Sequence, residues 1–427
     1  MKKSKKIAII LAISATFGGV LSSPPERTYA ADIVIDSQEE FNDLKTNSDW
    51  SYTDDDCLYL KEPLSGNTIV FEGIESDVSL DGGRGAGATN NNTIIVINSK
   101  VNADDVIGGY ASGKEANNNK TIIVNSTINA NVFGGDSHYN DASGNTVVIS
   151  NSTVVGQIFG GYAYVPPIND KGDYADGVKS GKASNNKIII NNKSDLSGAM
   201  IYGGYITITD EMEEDIENNG GKVDESMFTK VNNTIIFDDW SGSALAVRSA
   251  DNIIFKNVNL SNFVNNTEKK AILTITGEQS YCSFENIIGR DETPVTGADN
   301  TQTKDINIGL SFQGGQDINA GETIRLVQMT DAIVDNSVDK EGNKKIRLAN
   351  DGTAYAGVAQ VVKGELKFDE DNNKYLDYTI TSVGLNDQVN VVNEGRAASA
   401  AFLNQSDELI SEALAGLNLE DKYGFET

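Results

Sequence analysis

Short runs of β-branched residues, each led by an asparagine, recur along the first half of the chain. They read Asn92-Thr-Ile-Ile-Val-Ile97, Asn119-Lys-Thr-Ile-Ile-Val124, Asn145-Thr-Val-Val-Ile149 and Asn186-Lys-Ile-Ile-Ile190, and the runs ending at Phe237 and Phe255 continue the series less regularly. Val, Ile and Thr favour strands, and no unit carries an apolar stripe of helical period. A polar turn follows each run (Asn98-Ser99, Asn125-Ser126, Asn151-Ser152, Asn191-Asn192). A second apolar stretch then ends in Val106-Ile107, Val132-Phe133, Ile158-Phe159 or Ile201-Tyr202, just before two glycines. Gly and Asn suit turns that need positive φ.

The glycine pairs set the period. They fall at Gly82-Gly83, Gly108-Gly109, Gly134-Gly135 and Gly160-Gly161, each 26 residues after the last. The next pair, Gly203-Gly204, comes 43 later. The excess of 17 matches a Pro-, Gly- and Asp-rich insertion from Tyr164 to Ser180. A fixed period of strand, turn and strand is the mark of a stacked repeat, in which each unit buries its apolar row only against its neighbours. The expected fold is all-β: a right-handed parallel β-helix (solenoid) of about 26-residue coils. Ile95, Ile123, Val148 and Ile189 are expected to share one interior row.

Outside the repeats the pattern changes. Lys2, Lys3, Lys5 and Lys6 precede an apolar run from Ile7 to about Val20, and Thr28-Tyr29-Ala30 places small residues where a signal peptidase reads. Residues 1–30 therefore read as a signal peptide cut between Ala30 and Ala31. Residues 31–265 hold the repeats. Residues 266–390 read as an irregular β-rich end, with strands at Ala271 to Ile275, Ile306 to Phe312 and Glu322 to Gln328. Glu365 to Phe368 and Tyr375 to Ile380 read as a hairpin. In 391–427, Ala398, Phe402, Leu409, Ile410, Ala413, Leu414 and Leu417 line one stripe of a helix running from Arg396 to Leu417.

Charge narrows the function. The chain carries −28, and without the leader, which holds five basic residues and one acid, −32. Such a surface repels nucleic acid, whose binding relies on Lys and Arg neutralising phosphates. Cys57 and Cys282 lie 225 residues apart, roughly nine coils, or on the order of 40 Å at one strand spacing per coil. A disulfide needs Cα atoms within about 7 Å. Both are expected to be buried, unpaired thiols.

Two features bear on where the chain belongs. Units of the form Asn-Asn-Thr-Ile-Ile followed by Phe-Gly-Gly-Tyr and Ala-Ser-Asn-Asn resemble the repeats of bacterial type V autotransporter passengers of the adhesin kind. Ile318-Asn-Ala-Gly-Glu-Thr-Ile-Arg-Leu-Val327 resembles their late passenger region, and Glu394-Gly-Arg-Ala-Ala-Ser-Ala-Ala-Phe-Leu-Asn-Gln405 the stretch leading into the translocator barrel. The resemblance implies a Gram-negative envelope and an exported location at the cell surface, in the outer membrane or outside the cell. It also implies a partner outer-membrane barrel, which would need many alternating strands and is not found before Thr427.

The chemistry points to binding rather than catalysis. The one histidine, His138, sits in Gly135-Asp136-Ser137-His138, which resembles the nucleophile block of Gly-Asp-Ser-Leu esterases. That family's downstream histidine has no counterpart here, and adjacent residues of a strand point to opposite faces. The acidic clusters Asp54-Asp55-Asp56, Asp104-Asp105 and Asp238-Asp239 occupy different places in their units. No catalytic residue, metal ligand or cofactor is assigned. Tyr110, Tyr162 and Tyr205 each follow a glycine pair and should form a row, which an aromatic ladder that only stabilises stacking explains more simply than a contact surface; with Tyr164 and Tyr174 of the insertion they are the candidate binding residues. Tyrosines offer broad contact area at low entropic cost. The expected partner is a glycan or protein of a host or bacterial surface. The alternatives are a β-helical polysaccharide lyase or glycosidase, and a non-functional fragment cut off before its translocator.

Overall fold

Each apolar run is a strand, and each strand pairs in parallel with its copy one unit away. The computed structural model describes residues 33–47, 49–52, 57–62, 64–138, 140–164, 181–191, 193–207, 230–264, 270–277, 306–330, 346–368 and 374–386. It adds the backbone of the short strands Ala8–Ile10, Thr28–Ala30, Phe228–Thr229, Gly289–Arg290 and Thr293–Pro294. The described chain is mostly β, dominated by one large, mostly parallel sheet.

Three ladders organise it. The first runs through Ile33–Ile35, Thr68–Glu72, Thr93–Ile97, Lys120–Val124, Thr146–Ser150, Lys187–Asn191, Thr234–Asp238, Asn252–Val258 and Ile306–Phe312. The second runs through Cys57–Leu60, Ser79–Asp81, Lys100–Ile107, Thr127–Phe133, Thr153–Phe159, Asp195–Tyr202, Gly242–Arg248, Leu273–Ile275 and Thr323–Met329. The third is short: Arg84–Gly85, Tyr110–Ala111, Asp136–His138, Tyr162–Tyr164 and Tyr205–Thr207. Among the described residues, the five units from Thr68 to Thr207 thus have three strands where the sequence pattern showed two. The third was hidden because two or three residues are too few to display a period.

Register corrects the expected interior row. Ile95 pairs with Ile122, and Ile122 with Val148 and then Ile189, so Ile123 belongs one position along. Because strand side chains alternate, Val96, Ile123, Ile149, Ile190, Phe237 and Phe255 point inward and join the main core. Ile95, Ile122, Val148 and Ile189 form a separate apolar row on the outer face of the first ladder. Each run ends in three or four consecutive apolar residues (Ile94 to Ile97, Ile122 to Val124, Val147 to Ile149, Ile188 to Ile190), so alternation could not be read from the sequence.

Side chains tie the units together as firmly as the sheet does. The backbone N–H of Asn67 donates to Asn92 Oδ1 (2.9 Å), Asn92 to Asn119 (2.9 Å), Asn119 to Asn145 (2.8 Å), Asn145 to Asn186 (2.9 Å) and Asn186 to Asn233 (3.1 Å); Asn233 ends the series on Asp251 Oδ2 (2.8 Å). Ser99, Ser126, Ser152 and Ser194 form a second such ladder at the next corner. Positive φ falls on the asparagines just before the ladder, such as Asn91, Asn118, Asn185 and Asn232. The paired glycines serve space instead of φ: a Cβ on Gly134 would stand 2.3 Å from the carbonyl oxygen of Gly160.

Both ends of the ladders are finished differently from the middle. A short helix, Gln38–Leu44, is capped by Ser37, whose Oγ accepts from the Glu40 N–H. Its buried Phe41 meets Phe71 edge-on at 6.0 Å, and Trp50 packs on the same ring. At the other end Thr353–Ala356 extends the first ladder in parallel. Gln360–Phe368 and Tyr375–Leu385 then form the expected antiparallel hairpin, and the latter pairs antiparallel with Thr323–Met329 of the second ladder. One hairpin thereby stitches the two large ladders together. The expected helix at 396–417 lies outside the described residues.

Candidate functional site

The second and third ladders meet at the glycine pairs, and their outward side chains face each other across this corner. One column, in order along the stack, is Asp81, Ile107, Phe133, Phe159 and Tyr202. The facing column is Arg84, Tyr110, Asp136, Tyr162 and Tyr205. The close packing of the two columns depends on glycine, because a side chain at the corner would collide with the neighbouring unit.

One half of the corner is aromatic. Phe133 stacks on Phe159, and Phe159 on Tyr202, each at 4.9 Å and 15°. Tyr162 stands edge-on to Phe133 at 5.7 Å and to Phe159 at 5.2 Å. Offset rings at these spacings contribute about 0.5–1.5 kcal/mol each beyond the area they bury. Tyr205 packs against Tyr202, Phe159 and Tyr162 and is only 3% exposed. Its ring belongs to the packing of the corner and offers no surface.

The other half is charged. Asp81 Oδ2 accepts from Arg84 Nη1 at 2.8 Å, and the same Nη1 lies 3.3 Å from Cys57 Sγ. The Arg84 guanidinium sits over the Tyr110 ring, 4.0 Å from its centre. Asp105 accepts from Asn131 Nδ2 at 3.2 Å. Asp136 lies 3.7 Å from His138 Nε2 through Oδ1, an oxygen that is fully buried and accepts no hydrogen bond. Burial is the chief cause of the shifts of the acids and of His138 here. It pushes Asp81 up to about 6 against the pull of Arg84, and it holds Asp136 well above the usual carboxylate range, with Asp105 and Asp81 adding repulsion. Asp105 is raised and His138 lowered, both mainly by burial. The Cys57 thiol is buried and unbridged, and desolvation pushes it up to about 12; Cys282 lies outside the described residues.

On the rim between these halves, Tyr110, His138 and Tyr164 touch in sequence, with centroids 5.0 and 5.1 Å apart. All three are half-buried. The tyrosine hydroxyl of Tyr110 lies 3.4 Å from His138 Nδ1. Tyr110, Tyr162, Tyr164 and Tyr205 are therefore brought to one corner; Tyr174 lies outside the described residues. Ser137 points the other way, is fully buried and donates to the Lys114 carbonyl at 2.8 Å, so the Asp-Ser-His block assembles no nucleophile. The Asp81–Asp105–Asp136 cluster was missed because its members come from three different units, while contiguous pairs drew the eye. Asp238, by contrast, is held by Lys256 at 2.8 Å, and Asp239 accepts from Gln313 at 2.7 Å. Asp54, Asp55 and Asp56 lie outside the described residues. Ala30 ends the strand Thr28–Ala30, which pairs with Ala8–Ile10, and Ala31 is not described.

Among the described residues no group of three or more His, Cys, Asp or Glu is set to hold a metal ion, and no helix is long and apolar enough to cross a membrane. Compared with known proteins, the chain matches no family model, no curated protein and no solved structure.

Proposed function

We propose that the chain is an exported passenger of a Gram-negative cell surface that acts by binding. In this reading the three ladders are the faces of a right-handed β-solenoid, the hand that parallel strand-crossover-strand connections almost always take. The in-register stacking of same-role strands across the insertion from Tyr164 to Ser180 supports it, as does the charged, apolar, small-residue order of residues 1–30. The autotransporter kinship rests on the sequence resemblance alone.

The observation that carries the binding role is the rim of half-exposed rings, Tyr110, His138 and Tyr164, fixed on a rigid wall beside the Arg84–Asp81 pair. Half-exposed rings in a contiguous row suit the apolar faces of sugar rings, and the adjoining Arg84, whose side chain is 21% exposed, suits hydroxyl groups. A surface glycan is the ligand class we favour. The test is binding of the purified chain to an array of surface glycans. Replacing Tyr110 and Tyr164 together by alanine should weaken the strongest interaction at least tenfold with an unchanged β-sheet circular dichroism spectrum. Unchanged binding would remove the rim from the reading.

The acid cluster favours a second reading, a polysaccharide-cleaving enzyme, since it joins carboxylates of raised pKa to an arginine. Asp81 is fully buried and Asp136 is 6% exposed, so neither oxygen set reaches a substrate in this arrangement. Turnover of an acidic polysaccharide that disappears in Asp136→Asn would replace the binding reading with this one.

A further inference from the structure

The outer face of the first ladder carries an apolar column that its position does not explain. Val34, Val70, Ile95, Ile122, Val148, Ile189, Ile236 and Ile254 follow one another in register. Ile97 and Val124 widen it by a second column. A side chain standing on the outside of a flat sheet keeps a good part of its surface, because its neighbours flank it without roofing it. Here Val70 and Ile95 are 1% exposed and Ile122 is 2% exposed. The described residues that pack with them all come from the same ladder. Burial is deepest from Val70 to Val148 and eases to half-buried at Ile189, Ile236 and Ile254.

We propose that this column is the docking face for the chain's own amphipathic segment, Arg396 to Leu417. Three observations select this occupant. The segment carries one apolar stripe (Ala398, Phe402, Leu409, Ile410, Ala413, Leu414, Leu417), the complement of a column one to two side chains wide. The chain leaves the described region on the correct side: Asn386 is bonded to the 358–359 turn, and that hairpin continues the last rung of the first ladder through Ser311 and Phe312. The nine residues 387–395 reach roughly 30 Å when extended. That is about six inter-strand steps of ~4.8 Å, which brings Arg396 to the rung of Ile189. From there a helix rising about 1.5 Å per residue covers Val148, Ile122, Ile95 and Val70 within its first 13 or so residues, the rungs where burial is deepest. This docking does not depend on the glycan-binding reading.

Two experiments on the full chain decide it. Val124→Cys, on the margin of the column, is placed in a background with Cys57 and Cys282 changed to serine, and its labelling by a hydrophilic maleimide is timed. Adding Phe402→Asp and Leu409→Asp should speed labelling at least tenfold while the β-sheet circular dichroism spectrum stays the same. An unchanged rate would mean that another segment roofs the column. In the same serine background, Lys120→Cys is paired with single cysteines stepped through positions 399–406. The expected result is an intramolecular disulfide at one or two helically spaced positions. A disulfide-linked dimer, or no cross-link at any position, overturns the proposal; the dimer would assign the face to a second copy.

Discussion

Asp136 sets the acid–base behaviour of the corner. Its carboxyl is buried beside Asp81 and Asp105, with Arg84 as the cation that answers the group, and Oδ1 accepts no hydrogen bond. Folding therefore raises its pKa, as it raises that of Asp81 to about 6. A carboxyl that is easier to protonate when folded contributes stability that is complete below the unfolded value near 4. The contribution is lost as pH rises through the folded value. The repeats nearest this corner should thus be more stable at pH 4.5 than at pH 7.5. Asp136→Asn should raise the urea midpoint at pH 7.5, with a gain in unfolding free energy of about 1–3 kcal/mol if the buried oxygen without a hydrogen bond carries the usual penalty, and flatten the pH dependence. Urea titrations at both pH values check this; a lower midpoint at pH 7.5 would show the charge to be stabilising. Cys57, by contrast, is held as a thiol by the same burial and by Asp81, and is chemically inert in the folded chain.

Among the elements, the asparagine ladder binds unit to unit most specifically. Asn145 accepts from the Asn119 N–H through Oδ1 and donates from Nδ2 to the Ala116 carbonyl at 2.9 Å. Asn145→Ala leaves a buried donor and a buried acceptor unpaired, and we expect a loss of about 2–4 kcal/mol, from two such groups, in chemical denaturation. Asn145→Asp keeps the Oδ1 acceptor, as Asp251 does at the end of the series, but sets a buried carboxylate oxygen against the Ala116 carbonyl, and should recover none of the loss at pH 7.5. The recurrence of asparagine before each run is plain in the sequence, and its repeat spacing implied a ladder. The carbonyls that take the Nδ2 donors, those of Leu64, Ala116, Ala142 and Ala183, each lie three residues before a ladder asparagine in the recurring return segment, but that the next unit's asparagine reaches them was not readable, because only stacking brings the two units together. The N-terminal helix was overlooked for another reason: seven residues are too short for a helical stripe, although Ser37-x-x-Glu40 has the spacing of a capping box.

At the scale of the whole molecule, stability is shared between neighbours, since each unit's apolar row is buried by the copies on either side. Fraying should begin at the ends and spare the middle. In native-state hydrogen exchange we expect the amides of 120–124 and 146–150 to be the slowest, with those of 306–312 and 353–356 exchanging well before them. Uniform protection would mean that the N-terminal helix and the C-terminal hairpin lock the stack into one cooperative unit. In that case the hairpin would be the lock at its end, since it joins the last strands of both large ladders and buries Leu376, Tyr378 and Ile380.

The repeat length, the strand class of each run, the order of strand, turn and glycine corner, and the C-terminal hairpin all followed from the sequence. They are local and periodic properties, and a period of 26 residues survives without knowing what touches what. Which face of each run is inside did not follow, because runs such as Ile94 to Ile97 are apolar on both faces and only the pairing register separates Ile122 from Ile123. Nor did the charged corner: Asp81, Asp105 and Asp136 belong to three successive units, and only stacking, at one strand spacing per unit, brings positions far apart in the chain to the same corner.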